Sequence, residues 1–264
     1  MAATTRSLAW LWRPEYPVLM LTTGVDLAAR PERTALTSIE WTADRAVIRD
    51  VAFPAEDTVI LKAIGRADKT GIDCPLGWPT AFVEFVAAHH AGHVGIPADG
   101  PDWRQSLTMR RTDIYVHEQY RLVPLSVSAD RIAHVALRCA VLLAKLDAAG
   151  RSVDRSGSGH VVEVYPAASL RRWGLYVPGY KQAAKPEVRD RVVDHLLAAA
   201  PWLDCASYEQ AIRRSHDVLD AVIAAMTARA AAQGQTLPPG QADLAAAQTE
   251  GWIAIPDAPV SQLL

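Results

Sequence analysis

PVLMLTTGVDLAARPERTALTSIEWTADRAVIRDVAF, residues 17–53, is the stretch on which the fold turns. Its first part, residues 17–28, is an apolar run of strand length that ends on Gly24, Val25 and Asp26, and it reads as a buried strand finishing on a carboxylate. Residues 34–42 and 45–53 then alternate apolar and polar side chains, and the Ala43-Asp44 pair between them suits a tight turn. Two antiparallel strands are therefore expected. A purely doubly wound sheet needs β and α to alternate from the start, and this pair contradicts it.

Outward from that stretch, residues 55–67 place Val59, Ile60, Ala63 and Ile64 at helical spacing behind an acidic first turn, which predicts a crossover helix. Residues 70–74 read as a short strand that again ends on an acid, Asp73, before a loop containing Pro75 and Pro79. A short helix is expected over 80–91 with Phe82, Phe85 and Val86 on one face, then a functional loop through residue 108. Residues 129–149 form a strong amphipathic pattern, with Ile132, Val135, Ala136, Cys139, Leu142, Leu143 and Leu146 as its stripe and Gly150 as its cap. A hydrophilic linker, 151–159, leads to the strand HVVEVY at 160–165, and helices are expected at 186–200 and 207–232. The order is three strands, a helix, a strand, helices, a strand and closing helices, which is the ribonuclease H-like order. The expectation is thus an α/β chain with a mixed central sheet, antiparallel first three strands and flanking helices. It is one domain over 1–264, with an insertion around 92–128 and a C-terminal tail at 235–264.

Composition bounds the function. With 50% hydrophobic and 21% charged residues the chain has globular composition, and a formal net charge of −2 provides no global positive field to draw it to duplex DNA. Any nucleic-acid contact must come from local patches. Three widely spaced cysteines without a CxxC pair fit a reducing compartment. Residues 8–20 carry Arg13, Glu15 and two prolines, too interrupted for a signal peptide or a membrane span. A cytoplasmic location with no membrane partner is expected.

The chemistry rests on acids at strand ends. Asp26 ends the first strand, Asp73 the fourth, and Asp217 and Asp220, three residues apart, stand one turn apart on one face of a late helix. The alternative for the last two is that they favour a helix N-terminus. Glu163, in mid-strand, is either a further metal ligand or the partner of Arg110 or Arg111, since a buried acid is costly unless paired. Arg110, Arg111 and Asp113 suit a segment folding over the site, with the arginines as bidentate phosphate contacts; the alternative is a surface salt bridge. His216, next to Asp217, is a candidate for proton transfer or for orienting a ligand, or else a cap. His89, His90 and His93 have helical spacing but no companion ligand at a diagnostic distance, which argues against zinc. Arg171, Arg172, Lys181 and Lys185 among Trp173, Tyr176 and Tyr180 are suited to gripping phosphates and stacking bases, or form an ordinary loop.

Six segments in order resemble the DUF429 family: Gly24-Val25-Asp26-Leu27-Ala28, Gly71-Ile72-Asp73-Cys74-Pro75-Leu76-Gly77-Trp78-Pro79, Arg111-Thr112-Asp113, Val162-Glu163-Val164-Tyr165-Pro166-Ala167-Ala168, His216-Asp217-Val218-Leu219-Asp220-Ala221 and Glu250-Gly251-Trp252-Ile253. That family is described as predicted nucleases of the ribonuclease H-like fold. The resemblance implies a Mg²⁺- or Mn²⁺-dependent nuclease in which metal-activated water hydrolyses a phosphodiester of nucleic acid, with Asp26, Asp73, Asp217 and Asp220 as ligands. The acid pattern also resembles the Holliday-junction resolvase branch of the fold, which more commonly has glutamate where Asp73 stands; the shorter side chain changes the metal distance. A homodimer, as in many resolvases, is left open. So is a non-catalytic metal- or nucleic-acid-binding protein of the same fold. The sugar-kinase and actin-like ATPases are disfavoured, because no Gly-rich phosphate loop follows the first strand.

Overall fold

The alternation in residues 17–53 becomes three strands in the computed structural model, which describes residues 20–93, 95 and 103–264. They are β1 (Met20–Asp26), β2 (Ala35–Trp41) and β3 (Ala46–Ala52), antiparallel in sequence, with Asp26 opposite Ala35 and a bulge between Ser38 and Ile39. Thr42 closes the expected turn: its N–H donates to the Arg45 carbonyl at 2.9 Å and its hydroxyl to the Asp44 carboxylate at 2.8 Å. Helix α1 (Asp57–Arg66) crosses over to β4 (Lys69–Asp73), which runs parallel to β1.

Beyond β4 come α2 (Thr80–His90), α3 (Trp103–Thr108), α4 (Arg111–Tyr120) and α5 (Ala133–Ala148), then β5 (Val161–Glu163), α6 (Pro166–Arg172) and α7 (Pro186–Ala199). A two-residue strand, β6 (Leu203–Asp204), precedes α8 (Glu209–Arg214), α9 (His216–Ala232) and α10 (Leu244–Glu250). The strands lie side by side in the order β5-β4-β1-β2-β3-β6. Among them only β2 runs against the rest.

Each face of the sheet is covered by helix. Val25, Leu36, Ile72 and Val161 face α1 and α5, where the expected stripe from Val135 to Leu146 is buried. On the other face α9 lies across β1, β2 and β4, with α6, α7 and α8 packed outside it. Backbone approach there is close enough to need glycine. A Cβ on Gly24 would sit 2.0 Å from the Ala221 carbonyl, and one on Gly71 would sit 2.4 Å from that of Ala224. Because α9 touches the sheet below and helices above, nearly every residue from Asp217 to Ala230 is buried and no polar stripe survives.

Several expectations need correction. The segment expected as one helix over 207–232 breaks at Ser215, whose hydroxyl accepts from the Asp217 and Val218 N–H groups and starts α9. Residues 103–120, within the expected insertion, are helical, whereas 94 and 96–102 of the expected loop lie outside the described residues, as do 1–19. The apolar face expected on α2 is not buried among the described residues, although Phe85 packs on Trp103 at 5.9 Å between centroids. The C-terminal stretch is built into the molecule: Trp252 to Ile255 are buried, and the Ala254 N–H donates to the Glu163 carbonyl at 2.9 Å, carrying the sheet one residue past β5. All three cysteines are buried and unpaired. No helix among the described residues is long and apolar enough to cross a membrane.

Candidate metal centre

Parallel pairing brings two acids side by side. Asp26 and Asp73 are register partners at the ends of β1 and β4, as Gly24 and Gly71 are two residues earlier. Since side chains alternate along a strand, both aspartates share the face on which the glycines meet α9. The N-terminus of α9 arrives there too, and Asp26, His216 and Asp220 each offer a ligand atom within 4.8 Å of the others. This is the only such trio among the described residues.

Asp220 is fully buried and doubly held: the Tyr180 hydroxyl donates to Oδ1 at 2.9 Å and the Lys181 ammonium lies 2.6 Å from Oδ2. Asp217 is engaged elsewhere, accepting from the Ser215 hydroxyl at 3.1 Å, with His216 Nδ1 3.3 Å and Arg33 3.9 Å from its other oxygen. The expected four-acid set is therefore rearranged. Asp26, Asp73 and Asp220 converge, and His216 stands in the trio where Asp217 was expected.

Burial and mutual repulsion act on the carboxylates of the cluster. Burial, followed by repulsion from Asp220 and Asp73, pushes the Asp26 carboxyl well above the ordinary carboxylate range. Burial lifts Asp73 to about 7, with Lys181 pulling the other way and Asp220 and Glu163 adding to the rise. For Lys181 burial disfavours the charge, but Asp220 and its neighbours outweigh it and hold the ammonium firmly protonated. Burial lowers His216 against the pull of Asp217 and Asp220, which favours the neutral imidazole that ligates metals.

A second cluster takes up residues expected at the site. The Arg110 side chain is 2% exposed and all five of its N–H donors are committed: to both oxygens of Glu163 at 2.7 and 2.8 Å, to both oxygens of Asp113 at 2.8 and 3.0 Å, and to the Glu250 carbonyl at 3.1 Å. Glu163 Oε2 also accepts from the Leu76 N–H at 3.0 Å. Arg110 and Asp113 are thus internal, not phosphate contacts, and Glu163 is paired, not placed as a metal ligand. Gly251, at φ 97°, has no room for a Cβ, which would lie 2.6 Å from Glu163 Oε2. Glu250 caps two helices at once, taking the Thr80 N–H of α2 at 2.9 Å and the Arg111 N–H of α4 at 3.0 Å. The Arg111 side chain pairs with Asp243 at 2.8 Å.

Beside the acids opens a cavity of about 440 Å³, lined by Asp73, Lys181, Tyr165, Tyr176, Leu125 and Ile132 among others. Of the expected phosphate-gripping patch, Lys181 reaches the acids, and Arg171 lies over the Tyr176 ring at 4.9 Å with one N–H donated to the Tyr120 carbonyl. Trp173 and Tyr180 pack into the core instead of standing free for stacking. Nothing in the sequence pointed to the Tyr180 and Lys181 grip on Asp220, or to the double cap by Glu250. Adjacent aromatic and basic residues in a loop carry no periodicity that fixes their partners.

A family model described as "Protein of unknown function (DUF429)" matches residues 24–244. No curated protein and no solved structure matches.

Proposed function

The chain belongs to the DUF429 family, and from that premise we propose that it is a divalent-cation-dependent phosphodiester hydrolase of the ribonuclease H-like fold, acting on nucleic acid. The observation that carries the proposal is the convergence of Asp26, Asp220 and His216 within 4.8 Å beside Asp73, at the ends of two parallel strands. The chain order of three antiparallel strands, a helix, a strand, helices, a strand and a late helix bearing acids supports the fold assignment.

The donor set fits a divalent cation. Two carboxylates and a neutral imidazole at mutual ligand distance are acceptable to Mn²⁺, and Mg²⁺ would lean on the oxygens alone. Burial, with the neighbouring carboxylates adding to it, raises Asp26 and Asp73, and a bound cation would oppose both effects by favouring the charged carboxylates. Bound there, Mg²⁺ or Mn²⁺ supplies Lewis-acid polarisation and a water of lowered pKa. The chain's own residues do the rest. Asp73, on the cavity wall, is the carboxylate placed to take a proton from water. Lys181, held at the cluster by Asp220, offers its ammonium to phosphate oxygen. Tyr180 fixes the Asp220 carboxylate through its hydroxyl.

The non-catalytic reading keeps one observation of its own: Lys181 forms an ion pair with Asp220 inside the cluster. Cleavage of labelled single-stranded, duplex, hybrid and branched substrates with Mg²⁺ or Mn²⁺ separates the two. The hydrolase predicts metal-dependent products that vanish in Asp26→Asn and Asp220→Asn. Metal binding with no product from any substrate would leave the binding role.

A further inference from the structure

Resting on the hydrolase reading, we propose that the cavity beside the acid cluster receives one nucleoside unit, so that the substrate presents an unpaired nucleotide to Asp73 and Lys181. Volume is the first argument. About 440 Å³ falls in the range that encloses a single small ligand. A base within a duplex is held between its neighbours, and it reaches such a recess only by leaving the stack or by being single-stranded already.

The walls are the second argument. Tyr165 and Tyr176 belong to the lining, and Val123, Leu125, Ile132 and Ala167 make the rest of it mainly apolar. Such walls suit the flat face of a base and offer little to a sugar alone, whose hydroxyls would need polar partners. The Gln182 amide, also on the wall, supplies a donor and an acceptor for a base edge.

Charge is the third argument. The cavity has two cationic residues in its lining, Arg110 and Lys181. Arg110 has every donor committed to Glu163, Asp113 and Glu250. Lys181 alone remains, at the end where Asp73 and Asp220 stand. A groove that tracks a nucleic-acid backbone needs a row of cations; here one ammonium next to the acids marks a place for one phosphate, with the base beyond it.

The test uses uncharged nucleosides in EDTA, which removes phosphate repulsion and needs no turnover. Calorimetry should register binding to the wild-type chain, weakened about fivefold by Tyr176→Ala, the low end of what one stacked base contributes. Leu125→Trp, which fills the cavity from a half-exposed position, should weaken it at least as much while Mn²⁺ binding stays at the wild-type level. Single-stranded oligonucleotides and mononucleotides form two further arms: tighter binding of the oligomer identifies a strand, and equal binding a free nucleotide. If nucleosides bind and Leu125→Trp blocks them, yet no substrate is cleaved, the cavity assignment stands and the hydrolase reading fails. If continuous duplex is cleaved as fast as single strand and Leu125→Trp changes neither rate, the hydrolase reading stands and the cavity assignment is overturned. Absence of nucleoside binding to a wild-type chain that binds Mn²⁺ also overturns it.

Discussion

At Asp220 one oxygen is taken by the Tyr180 hydroxyl and the other faces the Lys181 ammonium, so a metal ion must share this carboxylate with a cation already in place. Removing that cation should favour the metal. Lys181→Met is expected to bind Mn²⁺ about tenfold more tightly, a modest figure because the lysine side chain is 42% exposed and solvent screens it. The same variant should lose hydrolysis through the missing phosphate contact; unchanged Mn²⁺ affinity by calorimetry would show that Lys181 does not share the site. Asp73 gives a pH signature. Its folded pKa of about 7 lies above the ordinary 3.8, so in chelator the folded state holds its proton more tightly. That stability is fully present below pH 3.8 and drains away as pH rises through about 7. Wild-type Tm in EDTA should therefore fall from pH 4 to 7 relative to Asp73→Asn. Asp26, shifted in the same direction, keeps some slope in the variant. Added Mn²⁺ should stabilise the protein more as pH rises; a Tm difference flat across that window would contradict the shift. Asp26 and Asp73 were legible in the sequence because they end apolar runs, and Asp220 because it stands one turn from Asp217 at a helix start. The pairing of Glu163 with Arg110 was one of two readings, and what decided it, five committed guanidinium donors, is a property of three segments meeting.

The elements divide by whether their sequence shows a face. α5 packs one side on the sheet and the other toward solvent, so its stripe from Val135 to Leu146 stands out from the first reading. α9 has no such contrast, being buried all round, and its start is visible only in the Ser215 hydroxyl that caps it. α4, α6 and α10 are short and take their order from contacts distant in sequence, Glu250 above all. Those contacts can be told apart from the α9–sheet seam by mutation. Gly71→Ala puts a methyl 2.4 Å from the Ala224 carbonyl and 2.8 Å from a Val164 methyl, so α9 must lift and carry Asp220 and His216 with it. A loss of about 3 kcal/mol in urea unfolding is expected, at the upper end of overpacking, together with loss of Mn²⁺ binding. Glu250→Ala removes caps from α2 and α4 and should cost about 2 kcal/mol, yet leave Mn²⁺ affinity alone, since neither helix carries a residue of the trio. If both variants lost the metal equally, the two clusters would be one mechanical unit.

For the whole molecule, charge and shape make a joint prediction about how a strand is held. The chain carries a formal net charge of −2, and Asp26, Asp73 and Asp220 gather at one end of the sheet beside the cavity. Long-range steering toward a polyanion is then absent, and affinity must come from local contacts. Near the cavity the cation positioned to meet phosphate is Lys181, on Asp220. One phosphate contact on a single strand gives a slope of log K against log salt of about −0.7. Proteins that track a backbone with many cations have far steeper slopes. Binding of a single-stranded oligonucleotide, followed by fluorescence anisotropy between 50 and 300 mM salt, should therefore weaken only several-fold, and Lys181→Met should flatten the slope by about 0.7. A slope near −4 would require a basic track that the cavity lining does not provide. Weak salt dependence joined to aromatic walls places the discrimination in the base, and it makes the unpaired nucleotide, more than the length of the strand, the feature this site recognises.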